Sequence, residues 1–185
     1  MIPQFRHKCS YGYTGTGKTT VAKERAGFYL RYKQPVFVFP GNGDTTWPRG
    51  VRYIWTPEEL EDALRDPENY GAFIFLDEGA NLYDEVTRKN HPIVNGLFMR
   101  GRHLGYTVWI LTQYVTSIPR KVRVNCTERY LFATADEDDA KMIWGDCNRI
   151  SVDGVPLWQA IMALQKFEYF RYVHPGQITR HVTRP

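Results

Sequence analysis

The sequence predicts an α/β fold with a mainly parallel central sheet covered by helices on both faces. Short apolar runs of strand length alternate with stretches of helical periodicity along the 185 residues, and this alternation is typical of βαβ units. A glycine-rich segment directly precedes the first helical stretch. The sequence contains no repeats and no long linker, so we expect one domain over residues 1–185, with residues 145–185 as a C-terminal extension of unassigned role.

Five apolar runs predict buried strands, at residues 35–39, 51–55, 72–76, 107–111 and 130–133. An aromatic run at residues 167–173 predicts a further strand at a sheet edge. Helical periodicity predicts helices at residues 18–32, 92–104, 138–144 and 155–165. A short helix is expected after Thr56, since Thr56 is a suitable N-cap, Pro57 fits the first helical position and Glu59 completes a capping box.

A phosphate-binding loop is predicted at residues 12–19, which match G-x-x-x-x-G-K-[ST] at every defined position. Glycines let the backbone wrap around a phosphate with its N–H groups inward, and the next helix adds the positive end of its dipole. Lys18 is expected to reach the β- and γ-phosphates, and Thr19 to bind Mg²⁺. The predicted nucleotide-binding residues are Gly12, Thr14, Gly15, Thr16, Gly17, Lys18, Thr19 and Thr20. The segment at residues 5–10, however, is more polar than most central strands.

Two adjacent acids, Asp77 and Glu78, end the apolar run at residues 72–76, as in a Walker B element. Asp77 is expected to complete the Mg²⁺ site, and Glu78 to polarise the attacking water. A small P-loop kinase needs no such base, because its acceptor substrate supplies the nucleophile. Glu78 therefore favours an ATPase.

A polar amide, Gln113, ends the next apolar run, which follows a turn at Gly105. We expect this run to lie beside the strand that carries the acids. Gln113 would then contact the γ-phosphate or the attacking water and report hydrolysis to the rest of the protein. We expect residues 114–125 to form a loop that converts this signal into movement of a basic segment.

Several short segments occur in a characteristic order: Arg102-His103, Thr112-Gln113, Ile118-Pro119 and Arg123-Val124-Asn125. In the order of these segments the chain resembles the FtsK–HerA superfamily of DNA-pumping ATPases. The resemblance is strongest to the genome-packaging ATPases of internal-membrane icosahedral viruses and of the poxvirus type. The resemblance spans roughly residues 12–133. It implies a RecA-like (ASCE) P-loop core that uses ATP and Mg²⁺ and forms a homo-oligomeric ring around double-stranded DNA. It also implies that Arg102 acts on the neighbouring subunit's nucleotide, with Arg100 and Arg123 as alternatives.

The resemblance further implies a viral packaging enzyme in the host cytoplasm and at the packaging vertex of the virion, with a capsid or vertex protein as partner. Two alternatives remain open, a small P-loop nucleotide kinase and a nucleotide-binding phage morphogenesis or assembly protein. Proteins of the second kind usually need a membrane segment. The sequence has no run of about 18 apolar residues that would span a bilayer.

The net charge of +4 is unevenly distributed, because the basic residues between positions 88 and 129 are accompanied by a single acid, Glu128. Sequence-independent grip on DNA relies on contacts to phosphates. The predicted DNA contacts are Arg88, Lys89, Arg120, Lys121 and Arg123. An ordinary solvated surface is the alternative. The C-terminal arginines 171, 180 and 184 similarly predict either a DNA-touching or capsid-docking arm or a plain basic tail.

Overall fold

The structure is a computed structural model that describes residues 6–78, 93–101 and 103–183, except for the side chains of residues 93–95. The strands in these residues are β1 (His7–Tyr11), β2 (Val36–Pro40), β3 (Arg52–Tyr53), β4 (Phe73–Asp77), β5 (Thr107–Thr112), β6 (Cys126–Phe132), β7 (Ser151–Val152), β8 (Val155–Pro156), β9 (Glu168–Val173) and β10 (Gln177–Val182). The α-helices are α1 (Lys18–Arg31), α2 (Pro57–Arg65), α3 (Ile93–Arg100), α4 (Arg120–Arg123), α5 (Glu137–Asp146) and α6 (Leu157–Met162). Single 3₁₀ turns lie at Pro67–Asn69 and Val115–Ser117.

Eight of the strands form one sheet in the order β10-β9-β6-β1-β5-β4-β2-β3. The six strands from β6 to β3 run parallel, while β9 pairs antiparallel with β6 and β10 pairs antiparallel with β9. This arrangement confirms the predicted mainly parallel α/β fold. Because β5 lies between β1 and β4, the carboxyl ends of these three strands meet at one edge of the sheet.

Two apolar clusters cover the opposite faces of the sheet. Alternate residues of β4 belong to different clusters, with Ile74 in one and Phe75 in the other, as the two-residue period of a strand requires. Helix α1 packs on the Phe75 face, and α2 and α5 contribute to the Ile74 face. No helix among the described residues is long and apolar enough to cross a membrane.

The polar residues His7, Lys8 and Ser10 of β1 are buried, and each forms a hydrogen bond with another group of the protein. His7 accepts a hydrogen bond from the Val108 backbone at 3.1 Å, and Ser10 accepts one from the indole of Trp109 at 2.8 Å. Lys8 donates to Glu128 on β6 at 2.9 Å. A polar central strand is therefore compatible with burial here, because His7, Lys8 and Ser10 each form a hydrogen bond inside the protein in place of one to water.

Three sequence expectations need correction, and one strand was not predicted. The strand expected at residues 51–55 is only two residues long, since it lies at the sheet edge. The strand expected at residues 167–173 is not the edge strand, because β10 pairs outside it. Strand β10 escaped prediction because most of its residues are exposed and polar. The segment at residues 114–125, read as a loop, contains α4 and a 3₁₀ turn.

The basic C-terminal segment is partly neutralised within the β9–β10 hairpin. Arg171 donates to Glu128 at 2.6 Å, and Arg180 donates to Glu168 at 2.9 Å. Arg184 lies outside the described residues. These ion pairs give the two described arginines partners inside the protein, which weakens the expectation of a free DNA-touching arm.

Candidate active site

The loop at residues 12–17 joins β1 to α1 and has the backbone shape of a phosphate cradle. Gly12 has φ +144°, and a Cβ at this position would lie 2.7 Å from the Cβ of Phe132. Only glycine fits such a conformation and such a close approach. The hydroxyl of Thr16 donates to the carbonyl oxygen of Tyr13 at 2.9 Å, which closes the loop on itself. Thr14 and Gly15 are exposed at its tip, and Thr20 is partly buried on α1.

Lys18 begins α1 and its ammonium group lies across the loop. It donates to the carbonyl oxygens of Gly12 at 2.6 Å and Tyr13 at 3.1 Å. Burial lowers the pKa of Lys18, against the opposing effect of the charges on Glu78 and Asp77. The ammonium thus lies within the loop, where a phosphate chain would meet it.

Asp77 ends β4 and faces the start of α1. The hydroxyl of Thr19 donates to its Oδ1 at 3.2 Å, while its Oδ2 is buried and has no hydrogen-bond partner in the described part of the chain. Burial and the neighbouring charge of Glu78 raise the pKa of Asp77 to about 6. A hydroxyl beside a partnerless carboxylate oxygen suits Mg²⁺, which prefers oxygen ligands and shares them with phosphates. Thr19 and Asp77 are therefore the residues that would hold this ion.

Glu78 and Gln113 lie in contact at the ends of the neighbouring strands β4 and β5. The side-chain amide of Gln113 donates to Oε1 of Glu78 at 3.3 Å. Glu78 has φ +49°, a left-handed backbone conformation that is uncommon outside glycine and often found at functional sites. The glycine cradle, the two acids and the amide, which are far apart in the sequence, thus meet at one edge of the sheet.

Gly41 is a residue of this region that the sequence reading missed. Its N–H donates to the carbonyl oxygen of Asp77 at 3.1 Å, and a Cβ at this position would collide with that oxygen. The available signal was the Gly-Asn-Gly segment directly after β2. Gly41 therefore permits the tight approach of β2 to the residues that carry the two acids.

Arg123 does not fit the role of a DNA contact or of a trans-acting arginine in this structure. It is only 8% exposed, its Nε donates to Asp146 at 2.7 Å, and its Nη1 donates to the carbonyl oxygen of Ile118 at 2.9 Å. Arg123 is therefore neither a candidate DNA contact nor a candidate trans-acting arginine. Arg120 and Lys121 are exposed on the same helix.

Arg100 is exposed at the end of α3. Three further predicted residues, Arg88, Lys89 and Arg102, lie outside the described residues. Their roles stay predictions.

The fold and the site together define the class of this protein. A glycine loop between β1 and α1, a hydroxyl–carboxylate contact between Thr19 and Asp77, and a strand inserted between β1 and β4 are features of the RecA-like (ASCE) P-loop NTPase fold.

Solved structures with this fold include genome-packaging enzymes. The chain is similar to B204, the DNA-packaging ATPase from Sulfolobus turreted icosahedral virus, at TM-score 0.77 and 15% identity, with 100% of each chain covered. It is also similar to the genome-packaging NTPase B204 from Sulfolobus turreted icosahedral virus 2 in complex with ATP-γS, at TM-score 0.74 and 13% identity. That alignment covers 99% of this chain and 100% of the other. The predicted resemblance is confirmed at the level of the fold.

The same fold also occurs within longer proteins. The pCW3 conjugation coupling protein TcpA matches at TM-score 0.75 and 14% identity, over 97% of this chain and 60% of that chain. The sequence profile of the Zonular occludens toxin (Zot) family matches residues 55–137, which is less than half of the chain. No curated protein matches the sequence.

Proposed function

We propose that this chain is an ATP-hydrolysing DNA translocase that packages a double-stranded viral DNA genome into a preformed capsid. The observation that carries the hydrolytic part is the 3.3 Å contact between Glu78 and Gln113 beside Lys18, Thr19 and Asp77. A base and an amide at the γ-phosphate end suit the activation of water. A nucleoside monophosphate kinase needs no such base, because the phosphate oxygen of its acceptor is already an ionised nucleophile.

Some residues of the site bind the nucleotide, and others take part in proton transfer. The loop N–H groups and Lys18 bind the phosphates, and Thr19 and Asp77 would hold Mg²⁺, which would neutralise charge on the phosphates. Glu78 accepts a proton from water as the water oxygen bonds to the γ-phosphorus. The bond from that phosphorus to the β–γ bridging oxygen breaks, and ADP and inorganic phosphate leave. Gln113 orients the carboxylate of Glu78 through its hydrogen bond.

The packaging part of the proposal is supported by the full-length structural similarity to two B204 enzymes. One of these is a genome-packaging NTPase and the other a DNA-packaging ATPase, whereas TcpA is a conjugation coupling protein. A capsid or vertex protein is the partner that a packaging role requires, and the host cytoplasm and the packaging vertex are the places where it would work.

The segment after Gln113 offers a route from the nucleotide to DNA. The hydroxyl groups of Thr112 and Ser117 lie 3.0 Å apart, and the backbone N–H of Val115 donates to Asp139 at 3.3 Å. The first contact joins the end of β5 to the 3₁₀ turn, and the second joins that turn to α5. The chain then continues through Ile118 and Pro119 into α4, which exposes Arg120 and Lys121. A change at Gln113 would therefore be transmitted to two exposed cations, which we propose bind DNA phosphates.

The principal experiment replaces Glu78 with Gln. We expect ATP binding to persist and turnover to fall by at least about 100-fold, the usual contribution of a positioned base. Glu61→Gln, which removes an exposed carboxylate on α2, is the matched control and should keep full turnover. Full activity in the Glu78 variant would refute the assigned base. Thin-layer chromatography of labelled ATP separates the alternatives, since phosphate release without an acceptor supports the ATPase and transfer to a nucleoside monophosphate supports the kinase.

A second experiment tests the ring and Arg102. ATP hydrolysis should rise more steeply than protein concentration and should be stimulated by double-stranded DNA. Glu78→Gln and Arg102→Ala chains, each inactive alone, should recover partial turnover when mixed, because some interfaces then combine an intact Glu78 with an intact Arg102. Turnover that resides in isolated monomers, or mixtures that stay inactive, would contradict a trans-acting arginine.

A third experiment tests the DNA contact through charge reversal. Replacing Arg120 and Lys121 with Glu should abolish DNA stimulation and reduce the slope of log affinity against log salt by about 2, one for each phosphate contact. Reversal at Arg31 and Arg49, which are exposed elsewhere, is the control. Unchanged DNA-stimulated turnover in the first variant would refute α4 as the DNA-binding element.

A further inference from the structure

The start of the β9–β10 hairpin is fastened directly to the phosphate loop. The N–H of Phe167 donates to the carbonyl oxygen of Thr16 at 3.1 Å, and the N–H of Thr183 donates to the carbonyl oxygen of Phe167 at 2.9 Å. The hydroxyl of Thr183 donates in turn to Glu24 of α1 at 3.3 Å. Residues more than 140 positions from the loop in sequence are thus part of its surroundings.

The ring of Phe167 packs against the last glycine of the loop. A Cβ on Gly17 would lie 2.9 Å from Cδ1 of Phe167 and 3.2 Å from Cγ2 of Thr183. Phe167 has φ +68°, which is unfavourable for a bulky residue and persists only where the surroundings fix it. The ring is partly buried, and the ammonium of the exposed Lys166 lies 5.0 Å from its centroid. An aromatic face is therefore held in place at the rim of the loop.

The sheet order gives the bound triphosphate a direction. Asp77 and Gln113 lie on β4 and at the end of β5, to one side of β1, and mark the γ-phosphate end of the site. Strands β6, β9 and β10 lie on the other side of β1. The part of the nucleotide that precedes the α-phosphate therefore leaves the loop toward the side from which Phe167 approaches.

We infer that Phe167 is a nucleotide-contacting residue whose ring, flanked by the ammonium group of Lys166, packs against the nucleoside of the bound triphosphate. This inference rests on the proposed function in so far as the loop must bind a nucleoside triphosphate. It assigns to the C-terminal extension a direct part in substrate recognition, namely the distinction between a nucleotide and a bare polyphosphate. Stacking between bases and aromatic rings tolerates different bases, so Phe167 would favour nucleosides in general.

Calorimetric binding of two ligands, Mg·ATP and inorganic tripolyphosphate with Mg²⁺, tests the inference on the full chain. Phe167→Leu should weaken ATP binding by roughly 10-fold or more, in line with the loss of one stacked base, and leave tripolyphosphate binding unchanged. Phe167→Tyr, which keeps an aromatic ring, should bind ATP as tightly as the wild type does. Phe167→Asn provides a second loss variant, because Asn tolerates a positive φ, and Phe28→Leu on α1 is the control at another partly buried aromatic position.

Two outcomes would overturn the inference. Equal weakening of both ligands would show that the ring only braces the loop, and unchanged ATP affinity in the Leu and Asn variants would show that it does not contact the nucleoside. Its failure is distinguishable from failure of the proposed function. If ATP binding depends on Phe167 but the protein neither hydrolyses ATP nor responds to DNA, the proposed motor function is rejected and the Phe167 contact stands. If the Leu variant binds ATP normally, hydrolyses it and is stimulated by DNA, the contact is rejected and the motor function stands.

Discussion

Replacement of Asp77 with Asn is expected to stabilise the nucleotide-free protein while abolishing its function. Asp77 is 2% exposed, its Oδ2 has no hydrogen-bond partner among the described residues and Glu78 adds a second negative charge. These effects are opposed by the 3.2 Å hydrogen bond from Thr19, by a backbone hydrogen bond at Glu78 and by attraction to the Lys18 ammonium. The ionised carboxylate is therefore held at a cost, which a neutral side chain of the same shape avoids.

The magnitude follows from the pKa of Asp77, which rises from an ordinary value of 3.8 to about 6. One pKa unit corresponds to about 1.36 kcal/mol, so the ionised form costs the folded state about 3 kcal/mol. The amide N–H₂ of Asn would itself be buried in place of Oδ2, so we expect a net gain of about 1–3 kcal/mol. For a domain of this size that gain raises the melting temperature by about 3–10 °C.

The pH dependence of this difference gives the sharpest measurement. A raised carboxyl pKa means that the cost is absent below pH 3.8, grows between pH 3.8 and about 6, and is complete above about 6. Calorimetric melting of the nucleotide-free protein from pH 4 to 8 should therefore show the Asn variant gaining on the wild type as the pH rises. Asp62→Asn, at an exposed carboxylate on α2, should show no such gain.

Addition of Mg·ATP should stabilise the wild type through binding and the Asp77→Asn variant much less. Two results would refute the reasoning: an Asn variant less stable than the wild type at pH 8, or a stability difference that is constant across the pH range. Either would show that the carboxylate is not under electrostatic strain in the folded protein.

Three further perturbations test the surroundings of the site. Burial alone would raise the pKa of Glu128, but neighbouring cations lower it to about 2, so Glu128→Gln should cost about 3 kcal/mol at neutral pH in urea unfolding. That cost should shrink as the pH falls from 4.5 to about 2. Gly12→Ala should abolish ATP binding in calorimetry, because the new Cβ would lie 2.7 Å from the Cβ of Phe132. Arg123→Met should destabilise the fold by about 3 kcal/mol, since it leaves Asp146 without its partner, and should leave the salt dependence of DNA binding unchanged.

The sequence was most informative where a short local motif defines both the chemistry of the side chains and the conformation of the backbone. The pattern of Gly12, Gly17, Lys18 and Thr19 requires a specific strand-to-helix turn, so the phosphate loop could be read without tertiary information. The acids after β4 and the amide after β5 were also recognisable, because each polar residue directly follows a buried apolar strand. The contact between these residues depends on the order of the strands in the sheet, which a local sequence pattern does not determine. The expectation that β4 and β5 are neighbours rested on the tendency of alternating strands and helices to form a parallel sheet.

The features that escaped prediction depend on distant parts of the chain. Arg123 has the composition of a surface cation, and only the position of Asp146 on α5 shows that it is buried. Phe167 reads as the start of an ordinary aromatic strand, and its contact with Gly17 arises because β9 and β10 lie beyond β6. Gly41 matters only because β2 lies next to β4. In each case the deciding partner is more than 20 residues away.

Asp77 and Glu128 show how structure separates a functional acid from a structural one. Both are buried acids of the parallel sheet, and both have strongly perturbed pKa values of opposite direction. Glu128 accepts hydrogen bonds from Lys8 and Arg171, so its charge holds β1, β6 and β9 together. Asp77 is in contact with a hydroxyl and beside another acid, and its remaining oxygen accepts no hydrogen bond from the residues that the structure describes. Because a protein retains an uncompensated buried charge only where something else uses it, the carboxylate that costs stability is the one that the site requires.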